Sequence, residues 1–315
     1  MPTFAVAVDF GATKVEAALV DDNGKLLEGS RFRAPTGAVS SSEQLEDAVR
    51  TVLRSVLASA PSHAELIGAG IGSAGPIEVV DGLVSPLNLP AWRGYPLRKL
   101  VHEASGLPTV LRMDGLCITL AEHWVGAAVG ERNVMGMIVS TGIGGGLILD
   151  GVTVPGPSGN AGHVGHIEVG GFDDACACGG IGCVEAIASG PRTVAWANRN
   201  GWSGSTGEQL AADHSAGNPV AIAAVERSGR ALGHAIASAA SLVDLDVVAI
   251  GGGFAQVSPA LFDHIRSAIA ERTAFDFVSR ARVVPSALGG DGPLIGAAAL
   301  VHRAALVTSS ARTPE

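Results

Sequence analysis

The sequence has no run of lysine or arginine, and aromatic residues are scarce, at eight Phe, four Trp and one Tyr in 315 residues. With 21 Lys and Arg against 30 Asp and Glu, the formal charge is −9. A nucleic-acid partner would require a basic stripe, so that class is not expected. No apolar segment reaches membrane-spanning length without a charge or turn residue, and no membrane partner is expected. Residues 1–14 carry neither a basic leader nor a long apolar core, and a cytoplasmic location is the expectation. Cysteine is also sparse, at four residues. Three of them fall in Cys176-Ala177-Cys178 and Cys183, a density that favours metal binding over a disulfide framework. Cys117 stands alone and reads as a small buried hydrophobe.

What the chain has in excess is glycine, 43 residues, set in short clusters beside apolar runs. Tight hairpins and phosphate-cradling turns require such clusters. The length suits two α/β domains, each able to bury a core. Residues 3–8 are β-prone and end at Asp9 in a glycine turn, and residues 15–20 read as an antiparallel partner. Helical spacing runs through Leu45, Ala48, Val49, Val52, Leu53, Val56 and Leu57. Strands are expected at 67–71 and at 109–112, the latter running into Asp114. A helix should follow, with Asp114 able to cap it. Residues 136–140 enter a second glycine turn and 146–149 leave it, so strand, turn and strand occur twice. That near-repeat predicts two related domains facing each other across a cleft. A late strand, 247–250, ends in Gly251-Gly252-Gly253, and Gly292-Pro293 opens a last helix with Ala297, Leu300, Val301 and Ala304 on one face. After about Leu306 the tail is polar and is expected to be disordered.

A phosphate chain needs backbone N–H donors, close approach and a metal, and glycine turns supply the first two. Asp9-Phe10-Gly11-Ala12-Thr13-Lys14 adds a carboxylate able to hold Mg²⁺ through water, a hydroxyl and an ammonium group. Ser140-Thr141-Gly142-Ile143-Gly144-Gly145-Gly146 offers a second cradle, and Gly251 to Gly253 would let an adenosine lie against the backbone. One imidazole and three thiolates give the closed tetrahedral set of a structural zinc site. Cys176, Cys178 and Cys183 supply the thiolates, and His163 and His166 compete to supply the imidazole.

From about Ala5 to Leu300 the chain resembles the ROK family of sugar kinases and repressors, within the actin-like ATPase superfamily (a ribonuclease H-like fold). The most specific stretch is Gly162-His163-Val164-Gly165-His166 followed by Cys176-Ala177-Cys178-Gly179-Gly180-Ile181-Gly182-Cys183-Val184-Glu185. The family pattern is Gly-Glu-Ile-Gly-His and then Cys-x-Cys-Gly-x-x-Gly-Cys-x-Glu. By family position the imidazole ligand is His166, and the knuckle presents Glu185 to the sugar. The resemblance further implies Asp114 as general base, because it keeps the Asp of an Asn-Asp-Ala-Asn segment that opens a helix. It places Asn88, Asp114, His163, His166 and Glu185 against the sugar, and assigns ATP phosphates to Asp9, Gly11, Thr13, Lys14, Thr141 and Gly142, with Gly251, Gly252 and Gly253 also at the nucleotide. The implied cofactors are ATP, Mg²⁺ and structural Zn²⁺, and the implied assembly is a homodimer. Glucose, phosphorylated at its 6-hydroxyl, is the first expectation for substrate. The expected division is residues 1–114 plus 292–315 as a small domain and 115–291 as a large one.

Two departures bear on which sugar fits. Met113 stands where the family has a sugar-binding Asn, and His163 stands where it has a sugar-binding Glu. They leave open an amino or otherwise modified hexose, or a sugar-binding pseudokinase. The DNA-binding repressors of the family are not expected here, because Asp9 already ends the first strand. A filament or chaperone ATPase would have no use for Asp114 with Asn88, or for a zinc knuckle beside Glu185. The donor, ATP or polyphosphate, is open.

Overall fold

The computed structural model describes residues 1–307, so the tail expected to be disordered lies outside the described residues beyond Val307. The chain opens with an antiparallel hairpin of β1 (Thr3–Phe10) and β2 (Lys14–Asp21), in which Asp9 faces Glu16. Both strands are apolar on both faces and buried on both, as strands inside a layered α/β unit must be. β3 (Phe32–Pro35) adds to β2. α1 (Ser42–Ala58) starts on a capping box: the Ser41 hydroxyl accepts from the Gln44 N–H, and the Gln44 side chain accepts from the Ser41 N–H. Its Leu45, Ala48, Val49, Val52, Leu53 and Val56 form the buried stripe that the spacing predicts.

β4 (Glu65–Ser73) returns parallel to β1. The short β5 (Ile77–Glu78) and β6 (Leu83–Val84) pair with each other. α2 (Leu97–Ser105) then leads to β7 (Thr109–Met113), parallel to β4, and α3 (Asp114–Val125) follows directly. The first sheet thus has the order β3-β2-β1-β4-β7.

The second half repeats this plan. β8 (Val134–Val139) and β9 (Ile143–Leu149) are neighbours, and β10 (Val152–Thr153) pairs antiparallel with β9. Five helices follow, with one strand among them: α4 (Val184–Ala188), α5 (Gly190–Arg199), α6 (Gly207–Ser215), α7 (Pro219–Val243), β11 (Val247–Gly251) and α8 (Ala260–Arg272). Then come α9 (Asp276–Ser279), β12 (Arg282–Pro285) and α10 (Gly292–His302). The order β10-β9-β8-β11-β12, with β8, β11 and β12 parallel, is that of the first sheet strand for strand. The near-repeat in the sequence is therefore a repeat of topology.

By packing, one unit comprises Met1–Val129, Gly146–Gly162 and Gly290 onward, and the other Gly130–Gly145 with His163–Gly289. α3 goes with the first unit because α10 packs on it as well as on β1 and β4. The division expected at residue 114 would have placed α3 with the other unit.

Three local expectations shift. The second glycine turn is only Ser140–Gly142; Gly144, Gly145 and Gly146 lie inside β9, where a Cβ on Gly145 would come within 2.7 Å of the Gly136 carbonyl oxygen. Asp114 is the first residue of α3 rather than its cap, and its carboxylate accepts from the Gly115 N–H at 2.7 Å. α10 ends at His302, so Ala304 is not part of its face.

Candidate active site

In the first unit, parallel strands β1 and β7 each deliver a carboxylate near their carboxyl ends, Asp9 from β1 and Asp114 just past β7. Ligand groups gather at such strand ends in α/β sheets. Burial pushes the Asp114 carboxyl up to about 6, against which only the Gly115 N–H acts. Asp9 is pushed up to about 7, first by burial and then by the negative charges of Asp114 and Glu16, with Lys14 and Arg31 opposing. Two acids that each resist ionisation form a site suited to a cation or to proton transfer.

The β1–β2 turn is held by the Gly11 N–H on the Lys14 carbonyl at 3.0 Å and by the Thr36 hydroxyl on the Gly11 carbonyl at 2.9 Å. Thr13 is exposed on it. The Lys14 ammonium pairs with Glu16, a carboxylate only 3% exposed that Arg31 and Arg33 also approach, at 3.3 and 3.2 Å. Burial pushes the Glu16 carboxyl up, but Lys14 and Arg31 together outweigh it and hold it below its usual range. Sequence reasoning passed over Glu16 because it sits within an apolar strand with no motif around it.

Asn88 is exposed on a loop built from below. Trp92 stacks on Phe10 at 4.7 Å and on Tyr95 at 3.8 Å, and its indole N–H reaches the Ser42 hydroxyl at 3.1 Å. The Arg93 guanidinium gathers the carbonyls of Pro86, Leu89 and Trp92 at 2.7 to 2.9 Å. Met113 is 3% exposed and belongs to the core of this unit, so a thioether fills space where the family pattern has an amide.

In the second unit, His166 ends a single 3-10 turn, Val164–His166, and the cysteines follow on a tight hairpin. The hairpin is closed by the Cys176 N–H on the Gly180 carbonyl and the Gly182 N–H on the Asp174 carbonyl, both at 2.9 Å. It brings a ring nitrogen of His166 and the sulfurs of Cys176, Cys178 and Cys183 within 4.8 Å of one another. The distances His166 Nδ1 to Cys176 Sγ, 3.7 Å, and Cys178 Sγ to Cys183 Sγ, 3.6 Å, match the edges of roughly 3.7 Å that a tetrahedral site with Zn–S near 2.3 Å requires. The donor set fits zinc. His163 lies outside the cluster, its ring 5.9 Å from that of His166, and burial lowers its pKa, with His166 adding to the effect.

Two residues after Cys183, Glu185 is the second residue of α4, and its Oε2 accepts from the Ile143 N–H at 2.7 Å, at the start of β9. The Ser140–Gly142 turn is thereby tied to the knuckle. Gly252 has φ +99°, and a Cβ there would lie 2.5 Å from the Val139 carbonyl oxygen, so the end of β11 can pass β8 only as glycine. A cavity of about 860 Å³ opens beside these turns. Thr141 and Gly253 line it, as do Asn198, Glu208, Phe254 and Gln256, which no motif marks. Glu208 is the one charged residue in its lining.

A profile of the ROK family matches residues 5–304. The N-acetylmannosamine kinase of Citrobacter koseri is 32% identical over 297 residues, covering 94% of this chain and 98% of its own. The glucokinase of Thermotoga maritima is 29% identical over 313 residues, covering 94% and 96%. Among solved structures, a ROK family glucokinase from Streptomyces griseus, in complex with glucose and AMPPNP, superposes with a TM-score of 0.82 at 29% identity, over 95% of this chain and 99% of that one. The repeated sheet order, the cysteine hairpin and a profile match over nearly the whole length agree: the chain belongs to the ROK family.

Proposed function

We propose that the chain is an ATP-dependent sugar kinase, transferring the γ-phosphoryl group to a hexose hydroxyl with Asp114 as general base. The observation that carries this reading is Asp114 itself: a partly buried carboxylate at the mouth of β7, raised by burial to about 6, whose charge helps to raise that of Asp9. The transition state of phosphoryl transfer is loose, so positioning and charge neutralisation dominate and the base receives its proton late. A carboxylate with a pKa near 6 is ionised at neutral pH and holds a proton better than an ordinary one. Mg²⁺, when bound, neutralises the phosphate oxygens, and Asp9 is the group that would hold it, through water. Asp9 fits that task because its neighbours make a cation the most favourable way to ionise it.

The proposed phosphate contacts are the Gly11–Lys14 turn and the Thr141–Gly142 turn. The cavity between Gly253-Phe254 and α6 is the proposed adenosine site, and its lining without lysine or arginine suits an uncharged nucleoside. Proposed acceptor contacts are Asn88 and Asp114 in the first unit and His163, His166 and Glu185 in the second. His166, Cys176, Cys178 and Cys183 would hold a structural zinc ion. The relatives' names support a hexose of the glucose or N-acetylmannosamine kind, with the 6-hydroxyl of glucose as first expectation.

A coupled ADP-release assay with Mg-ATP tests the reading, run over glucose, mannose, N-acetylmannosamine and N-acetylglucosamine beside Asp114→Asn. Turnover on one of them, lowered about 10²- to 10⁴-fold in the variant, is expected. Equal turnover in the variant would remove Asp114 from the chemistry, and no turnover on any of the four hexoses, with ATP or with polyphosphate as donor, would overturn the reading for this class of sugar.

A further inference from the structure

Arg227, on α7, is absent from every motif of the sequence, yet three segments of the second unit meet on its guanidinium. Nη2 donates to the Asp174 carboxylate, two residues before Cys176. Nη1 donates to the Ile187 carbonyl at 3.2 Å, in α4, two residues after Glu185. The guanidinium carbon lies 5.2 Å from the Phe172 ring centroid and 5.4 Å from that of Trp196 in α5, within cation–π range. The side chain is 14% exposed. Burial is the main influence on its pKa and lowers it, with Asp174 acting the other way. Asp174 in turn accepts the Gly182 N–H on its backbone carbonyl, on the far strand of the cysteine hairpin. Its other cation, Arg199, is 3.7 Å away and 62% exposed. Arg227 is therefore the inner clamp on Asp174, and the same group grips the helix that carries Glu185.

We infer that Arg227 is a positioning residue for the acceptor sugar, holding α4 and the cysteine hairpin in one register so that Glu185 is presented correctly. The inference rests on the sugar-kinase reading. A planar fork is needed for the task. Its two amino groups point to different partners while its face meets the rings, and the single ammonium of lysine cannot do both. Apart from the exposed Ile181, residues 175–183 are glycine, alanine and cysteine, most of them not buried, so without the clamp the hairpin would loosen against α4.

The test compares the wild type with Arg227→Lys, Arg227→Met and Asp174→Asn, all zinc-loaded and checked for a cooperative melt. Sugar KM is expected to rise about tenfold or more in Arg227→Met, the scale of losing a charge-assisted hydrogen bond, while AMPPNP affinity measured without sugar changes less than threefold. Arg227→Lys should recover only part of the loss. Zinc release to a chromogenic chelator should be several-fold faster in both Arg227 variants and in Asp174→Asn, and the Arg227→Met and Asp174→Asn effects should not add. Unchanged sugar KM and unchanged zinc release would overturn the inference, as would equal losses of sugar and nucleotide binding, which mark general loosening. Because zinc release needs no turnover, a wild type without kinase activity but with faster release in the variants would sink the kinase reading while leaving the clamp standing.

Discussion

At the residue scale the two carboxylates of the first unit govern behaviour with pH. Asp114 must be ionised to accept a proton, so kcat should fall about tenfold per pH unit below about 6, and level off above it. A pH–kcat profile in saturating substrates checks this, and a plateau extending below pH 5 would exclude a base with that pKa. The same groups set the stability of the ligand-free chain. Their folded pKa values lie above those of an unfolded carboxyl, so the folded state binds more protons between pH 4 and 7. Stability is then greatest at the acid end of that window and declines as pH rises through it. Asp9→Asn removes the buried charge, and at pH 8 without Mg²⁺ it should stabilise the chain by roughly 1–3 kcal/mol, a few degrees in Tm, with a smaller gain at pH 5. A thermal melt at both values checks this; an equal gain at both would point to packing. Asp9 and Asp114 stand out in the sequence because each ends an apolar strand. Glu16 and Arg227 do not, because Glu16 draws on Arg31 and Arg33 beyond the hairpin and Arg227 on Asp174, 53 positions away.

At the element scale β1, β2, β4, β7 and β11, the stripe of α1 and the cysteine hairpin are legible, since each rests on local periodicity or on spacing within ten residues, whereas the short β3, β5, β6, β10 and β12 carry no such pattern. The limits of β8 and β9 were not legible, because glycine reads as turn even where it sits in a strand to let a neighbour come close. Gly252 is the opposite case, needed for its own backbone angle and for the Val139 carbonyl. Gly252→Ala is expected to cost roughly 2 kcal/mol or more and to raise KM for ATP more than KM for sugar. Urea unfolding and initial rates measure both, and an unchanged midpoint would contradict the strain. The cysteine hairpin predicts its own metal dependence: one zinc per chain by elemental analysis, and loss of sugar affinity before nucleotide affinity on chelation. Chelated protein that binds sugar as before would separate the knuckle from the sugar site.

At the scale of the whole molecule, the two sheets share one strand order, of which the paired glycine turns announced only the first hairpin of each. Which segments pack together was harder to read, since the first unit draws on three separate stretches of chain. Its final piece, α10, is buried on almost every side, and Gly296 lets it close on α3, where a Cβ would stand 1.8 Å from the Cys117 carbonyl oxygen. Gly296→Val should therefore abolish or severely weaken the cooperative melt, by 3 kcal/mol or more. A variant with the wild-type Tm would show that α10 can move outward without loss.

The dependence of β1 and β4 on α10 has a consequence for synthesis. The ribosome delivers the first hairpin nearly 300 residues before the helix that covers β1 and β4. Over that interval the nascent chain carries a sheet with one apolar face uncovered, a state that aggregates or recruits a chaperone. A stop codon just before residue 292 should therefore leave a product that fails to mature rather than a shortened enzyme.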